Sequence, residues 1–282
     1  PVMKKEFPQK IFEGGVHTNY TNHHWYGGVD PELTSKYRGS WEMVLAAEPD
    51  SVSVTNWFDI LENSRIMPSY ELEDIRLKIL EYYTARWRGE PVPATKEPLI
   101  YAVYPTHVLL GQYMPVELVV FPVTGPSRDL RMQLEFYAED DKKVRTFIKD
   151  VKTSDKDLTV VRFNQLMDAF AEYNGLYPRL RFRWDGKWEL TPVMPHVNLS
   201  TSIRPRLLFW ARSNQRLLQV SASSPWTLGG VPAGMTLALK SNPVLVRGSG
   251  KSIGVRGMIN RGGNQVRIMR NWRQFREFEF NG

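Results

Sequence analysis

The sequence predicts a mainly β protein with an N-terminal helical portion, an α+β chain whose C-terminal domain is an antiparallel sandwich or barrel-like structure. Three observations predict it. Apolar residues change to a period of two beyond Leu99, one segment before that point repeats at helical spacing, and short strand-like runs then follow one another between turn residues. A length of 282 residues allows one large β domain or two modest ones. The prolines at 91, 93 and 98 form a stiff connector that sets the expected boundary. Residues 1–95 are expected to form an arm and helical region, and residues 96–282 an antiparallel β domain with a basic C-terminal part.

The first forty residues are rich in turn formers, Gly14-Gly15, Asn19, Asn22, Gly27-Gly28 and Asp30-Pro31, with Tyr20, Trp25 and Tyr26 as aromatic anchors between them. That composition reads as an extended arm that wraps a neighbouring subunit. Ser69 caps an expected helix from Tyr70 to about Arg88. Glu71, Glu73 and Asp74 lie in its first turn, and Arg86, Arg88 and Gly89 at its end oppose the macrodipole. Leu72, Ile75, Ile79, Tyr82 and Tyr83 give it one apolar face.

Beyond the connector, Leu130, Met132, Leu134, Phe136 and Ala138 alternate with polar neighbours as a half-buried strand, and 99–104, 115–121 and 158–163 are further strands. Residues 165–173 read as a short helix stopped at Asn174-Gly175. Residues 179–184 and 187–190 form a hairpin, because Asp185-Gly186 supplies the positive dihedrals of a two-residue type I′ turn. Leu180, Phe182 and Trp184 then share one face, and Arg179, Arg181 and Arg183 the other. Strands at 206–211, 215–220, 235–239, 243–247, 252–259, 265–270 and 275–280 complete the series.

Charge is unevenly distributed. The net +7 divides into −6 for residues 1–175 and +13 for residues 176–282, and no Asp or Glu occurs in the 87 residues from Leu190 to Arg276. A surface facing phosphates explains such a gap, since a carboxylate there repels while a guanidinium forms charge-assisted, often bidentate bonds. The excess of Arg over Lys favours planar recognition. The expected polyanion-binding set is Arg179, Arg181, Arg183, Arg204, Arg206, Arg212, Arg216, Arg247, Lys251, Arg256, Arg261, Arg267, Arg270, Arg273 and Arg276. Two readings of the partner stand, DNA or RNA on one side and an acidic protein on the other, the latter including the acidic first part of this same chain.

With no cysteine, disulfides, thiolate nucleophiles and zinc-thiolate sites are excluded. No stretch approaches the roughly eighteen apolar residues of a membrane helix, so no membrane insertion and cytoplasmic synthesis are expected. Pro1 fits removal of an initiator Met or cleavage from a longer precursor. Gly248-Ser249-Gly250-Lys251-Ser252 lacks the first glycine of a phosphate-binding loop, whose place Leu245 takes, and no helical pattern follows it. His17, His23 and His24, with Glu13, Asp30 and Glu32 nearby, have no helical ligand spacing and read as loop residues. His107 and His196 read as structural. No Gly-x-Ser-x-Gly elbow occurs, and no catalytic, cofactor or metal residues are assigned.

The resulting expectation is a non-enzymatic structural or assembly subunit of a larger particle, a viral or phage component included, with other protein subunits and DNA or RNA as partners. The alternatives are a soluble nucleic-acid-binding protein acting outside a particle, and an enzyme acting on a polyanionic substrate.

Overall fold

A strand buried on both faces must be apolar throughout, whereas one with a wet face alternates, and this chain contains both kinds. The structure is a computed structural model. It describes residues 5–18, 33–57, 64–69, 72–138, 142–173, 175–190, 194, 196–200 and 209–214, and the backbone of strand segments between 219 and 279. Two compact units appear, Pro1–Gln215 and Arg216–Gly282.

In the first unit, β1 (Glu13–His17) runs parallel to β2 (Ser51–Thr55) and flanks α1 (Ser35–Ala47), and α2 (Ile75–Arg88) precedes β3 (Ile100–Pro105). The chain continues through β4 (His107–Leu109), β5 (Tyr113–Val120), β6 (Asp129–Tyr137), β7 (Lys143–Lys152) and β8 (Thr159–Leu166). A 3-10 turn at Met167–Phe170 leads into β9 (Gly175–Trp184), β10 (Lys187–Leu190), β11 (Val197–Ser200) and β12 (Phe209–Ser213). A four-stranded sheet has the order β12-β3-β5-β8. A six-stranded sheet has the order β4-β11-β9-β6-β7, with β10 also paired to β9. Most pairings are antiparallel and neither sheet closes into a barrel among the described residues.

The four-stranded sheet is covered on both sides. Ile100, Ala102, Tyr104, Val116, Leu118 and Val120 share a core with Leu130, Met132, Leu134, Phe136, Leu180 and Phe182 of the six-stranded sheet. The alternate residues Tyr101, Val103, Val119 and Phe121 pack with Tyr37, Trp41 and Val44 of α1 and Ile75, Ile79, Tyr82 and Tyr83 of α2. All six residues of β3 are consequently buried. Among the described residues the six-stranded sheet has a core on one face only, which is why β6 and β9 alternate.

One carboxylate lies inside this arrangement. Glu117 of β5 is 1% exposed and faces the helices. Its Oε2 accepts from the backbone N–H of Thr34 at 3.0 Å and from the Thr34 hydroxyl at 2.5 Å. Thr34 is the N-cap residue of α1 and its own side chain makes no cap bond, so Glu117 satisfies a helix-end donor from across the sheet. Arg38 Nη2 at 3.7 Å and Arg162 Nη1 at 4.0 Å offset its charge.

The structure differs from expectation at three elements. Helix α1, with Tyr37, Ser40, Trp41 and Val44 buried at helical spacing, falls partly in the tract read as an arm. Of that tract, residues 13–17 form β1 and residues 19–32 lie outside the described residues. Helix α2 begins at Ile75 rather than Tyr70, because Glu73 takes a left-handed φ of 46° and the side chains of Glu73 and Asp74 are used elsewhere. Glu73 accepts from the Ser213 N–H, and Asp74 accepts from the Tyr101 hydroxyl. Ser69 instead accepts from Leu72 N in a turn ahead of the helix. Finally, residues 165–173 form the end of β8 and a 3-10 turn, not a helix, since Tyr113–Leu166 pairing carries the strand on.

In the second unit, β13 (Gln219–Ser221), β14 (Thr236–Ala238) and β17 (Met258–Ile259) form a three-stranded sheet. The strands β15 (Val244–Val246) and β16 (Ser252–Gly254) pair with each other, as do β18 (Gln265–Arg270) and β19 (Arg273–Glu279). All these pairings are antiparallel. No helix among the described residues is long and apolar enough to cross a membrane.

Candidate polyanion-binding face

The hairpin at Asp185-Gly186 builds the site. Both turn residues have positive φ, 47° and 79°, and Lys187 pairs with Trp184 as a two-residue turn requires. That register puts Leu180, Phe182 and Trp184 in the core and leaves Arg179, Arg181 and Arg183 on the open face of the six-stranded sheet. On the neighbouring strand β6, Arg183 faces Arg131, Arg181 faces Gln133 and Arg179 faces Glu135. On β10, Arg183 faces Trp188. Lys143 of β7 reaches the same face.

Within this face the two ends differ. At one end, Glu135 accepts from Lys143 Nζ at 2.6 Å, from the Tyr137 hydroxyl at 2.8 Å and from Gln133 Nε2 at 2.8 Å. Burial pushes its carboxyl up, but these three donors outweigh burial and hold it below the ordinary value of 4.5. Burial and the bond to Glu135 raise the Tyr137 hydroxyl, and the same carboxylate raises Lys143. The Arg179 guanidinium lies 4.0 Å from the Tyr137 ring centroid. At this end Lys143 is paired with Glu135 and Arg179 is engaged by the Tyr137 ring. At the other end Arg131 and Arg183 are directly opposed like charges. Arg131 has only the exposed Asp150, at 3.6 Å, and Arg183 has no ion pair among the described residues. Trp188 is 41% exposed, with the Arg181 guanidinium 5.3 Å from its ring centroid. Behind the turn, Arg128 donates to Asp185 at 2.8 Å and stacks 4.3 Å from the Trp184 ring.

No family model matches the chain, and no curated protein matches it. Among solved structures, it is similar over 36% of its length to a β-glucosidase from Listeria innocua, at 15% identity and a TM-score of 0.27. It is similar over 45% to an alkylpurine DNA glycosylase of Pseudomonas fluorescens bound to DNA containing an abasic site analog, at 11% identity and a TM-score of 0.27. The chain spans 16% of the length of the first and 37% of the second. At these scores neither likeness identifies a shared fold.

The other expected arginines are placed differently. Arg212 is 3% exposed, with its Nε 3.9 Å from Glu73 Oε1 and its guanidinium over the Trp210 ring. This arginine of the acid-free tract therefore serves the acidic N-terminal half of its own chain. Arg267, Arg270, Arg273 and Arg276 lie on β18 and β19, where Arg267 is in register with Glu277 and Arg270 with Arg273. Arg204, Arg206, Arg216, Arg247, Lys251, Arg256 and Arg261 lie outside the described residues. Ser252 of the glycine-rich motif opens a strand, where a phosphate-binding loop opens a helix.

Sequence reading missed one convergence. The parallel pairing of β4 with β11 puts His107 in register with Asn198, whose Oδ1 lies 2.9 Å from His196 Nε2. Thr106 Oγ1 lies 2.9 Å from His107 Nδ1. Burial, and then the charge of His196, hold His107 below its ordinary value. Engaged with Thr106 and Asn198, the two rings order the sheet end. Of the arm histidines, His17 lies on β1 while His23 and His24 lie outside the described residues, and no metal-binding group of three or more occurs among those described.

Proposed function

We propose that the chain is a non-enzymatic structural subunit of a larger assembly, a viral or phage particle included, in which the open face of the six-stranded sheet meets negative charge on nucleic acid or on a neighbouring subunit. The observation that carries this reading is the alignment of Arg179, Arg181 and Arg183 on one open face, beside Arg131 and Lys143. Opposed arginines on a wet sheet face cost stability unless an anion lies between them, and the packing of the sheet does not require them. The absence of acids over 87 residues extends the same electrostatic preference into the C-terminal unit.

In this reading the two sheets sharing one core form an antiparallel sandwich, and residues 1–95 supply the arm and helical region that ties subunits together. The test has two arms. Light scattering after size exclusion should show self-association or partner-dependent assembly, and affinity for a generic polyanion such as heparin should fall steeply with salt. A compact monomer at high concentration with a flat salt dependence overturns the proposal. A monomer that binds DNA or RNA with a steep slope replaces it with a nucleic-acid-binding protein acting outside a particle.

A further inference from the structure

Resting on that reading, we infer that the end of the sheet around Trp188 is a binding site for an unpaired nucleic-acid strand, with a base on the Trp188 ring and a phosphate between Arg183 and Arg131. The three residues are in continuous register across β6, β9 and β10. Adjacent strands are about 4.8 Å apart and alternate residues along a strand about 6.7 Å apart. Arg131 and Arg183 are therefore neighbours across the strands, Trp188 is one step further, and Arg181 is one step along β9.

Three features distinguish this corner from an ordinary solvated face. Arg183 and Arg131 oppose each other, Arg131 with the exposed Asp150 at 3.6 Å on its β7 side and Arg183 with no ion pair among the described residues, so an anion there relieves a repulsion built into the register. Trp188 is a large ring 41% exposed beside these charges, with the Arg181 guanidinium stacked near it. At the opposite end of the face, the equivalent groups are already used, with Arg179 on Tyr137 and Lys143 on Glu135. The same strand thus carries a self-satisfied end and an unsatisfied one. A ring that stacks and guanidiniums that hold phosphate repeat the alternation of a single strand, whose bases are free to stack. A duplex buries its bases against each other, and an acidic peptide offers charge without a flat ring.

The test measures affinity of the full chain, across a salt series, for three probes: a uridine oligonucleotide of about 16 nucleotides, a duplex of equal length, and poly-glutamate of equal charge. The single strand should bind most tightly. Trp188→Ala should weaken it roughly five- to hundredfold, the range for losing one stacked base, while leaving its salt slope unchanged and Trp188→Phe close to wild type. The double variant Arg131→Ala/Arg183→Ala should reduce the slope by about 0.7, the loss of the one phosphate held between them on a single strand. Equal loss on all three probes in Trp188→Ala, or no preference for the single strand over the duplex, overturns base stacking while leaving the polyanion reading intact. Tightest binding to poly-glutamate overturns it in favour of an acidic protein. A flat salt slope for every probe sinks both. Should Trp188→Ala fail to fold, Arg183→Glu at an exposed position takes its place: loss of single-strand affinity supports the site, and unchanged affinity overturns it.

Discussion

Replacing Glu117 with alanine should destabilise the larger unit by about 3 kcal/mol, and with glutamine by about 1–2 kcal/mol. The carboxylate is 1% exposed and accepts two hydrogen bonds from Thr34, and bonds to a charged group are worth about 1.5–3 kcal/mol each. Alanine leaves the Thr34 N–H at the start of α1 without its acceptor, whereas glutamine keeps one carbonyl oxygen in place. Arg38 and Arg162 are 21% and 40% exposed, so water screens them and their loss as partners adds little. For a unit of this size, each kcal/mol shifts Tm by about 2–4 °C, which gives roughly 6–12 °C for alanine and 2–8 °C for glutamine. Thermal unfolding followed by far-ultraviolet circular dichroism at pH 7 reads both. A glutamine variant melting within about 1 °C of wild type would show that the buried charge does nothing for the helix end.

Other substitutions test the face and its support. Arg212→Ala should cost about 3–5 kcal/mol by leaving Glu73 buried without its cation, while Arg183→Ala should change stability by less than about 0.5 kcal/mol; equal urea midpoint shifts for the two would refute the contrast between buried and presented arginines. The Glu135 carboxyl is depressed in the folded state, so its stabilisation is complete above the unfolded value and disappears as pH falls through the folded one. Urea unfolding of wild type and Glu135→Gln from neutral pH into acid should accordingly show a wild-type advantage that shrinks on acidification, and an advantage that grows instead refutes the sign. Gly186 sits at φ 79° with no atom within 4 Å of an added Cβ, so Gly186→Ala costs backbone strain alone, about 1–2 kcal/mol. A denaturation midpoint equal to wild type would refute the type I′ assignment.

Local chemistry was readable in the sequence and long-range chemistry was not. The Asp185-Gly186 hairpin and the split of β9 into an apolar and an arginine face follow from period and turn residues, both properties of adjacent positions. Helix α1 was hidden because its Gly39 and the turn-rich residues before it resemble a loop, although Tyr37, Trp41 and Val44 carry the helical period. Helix α2 lost its first turn to contacts with Tyr101 and Ser213, more than 25 residues away, which no local pattern encodes. Charge counting treats every arginine as surface, and Arg212 shows the limit of that assumption. In sequence Trp188 looks like any strand residue, because its neighbours Arg183 and Arg131 are brought beside it only by register across β6, β9 and β10.

Layer order explains why the open face belongs to the six-stranded sheet. Both faces of the four-stranded sheet are covered over β3 and most of β5, one by the shared core and the other by α1 and α2, and its exposed residues lie on the edge strand β8 and at Tyr113, where β5 begins. Among the described residues the six-stranded sheet buries a single face, and the residues alternating out of its core form its open surface. A chain that needed only solubility there would interleave both signs, as β6 and β7 do where Glu135 meets Lys143 and Asp150 meets Arg131. Strand β9 instead presents arginine at three successive outward positions and sets one of them against Arg131. The repulsion this creates is confined to the end nearest Trp188, so an added anion gains most there, and salt dependence and ring dependence should map to that same corner.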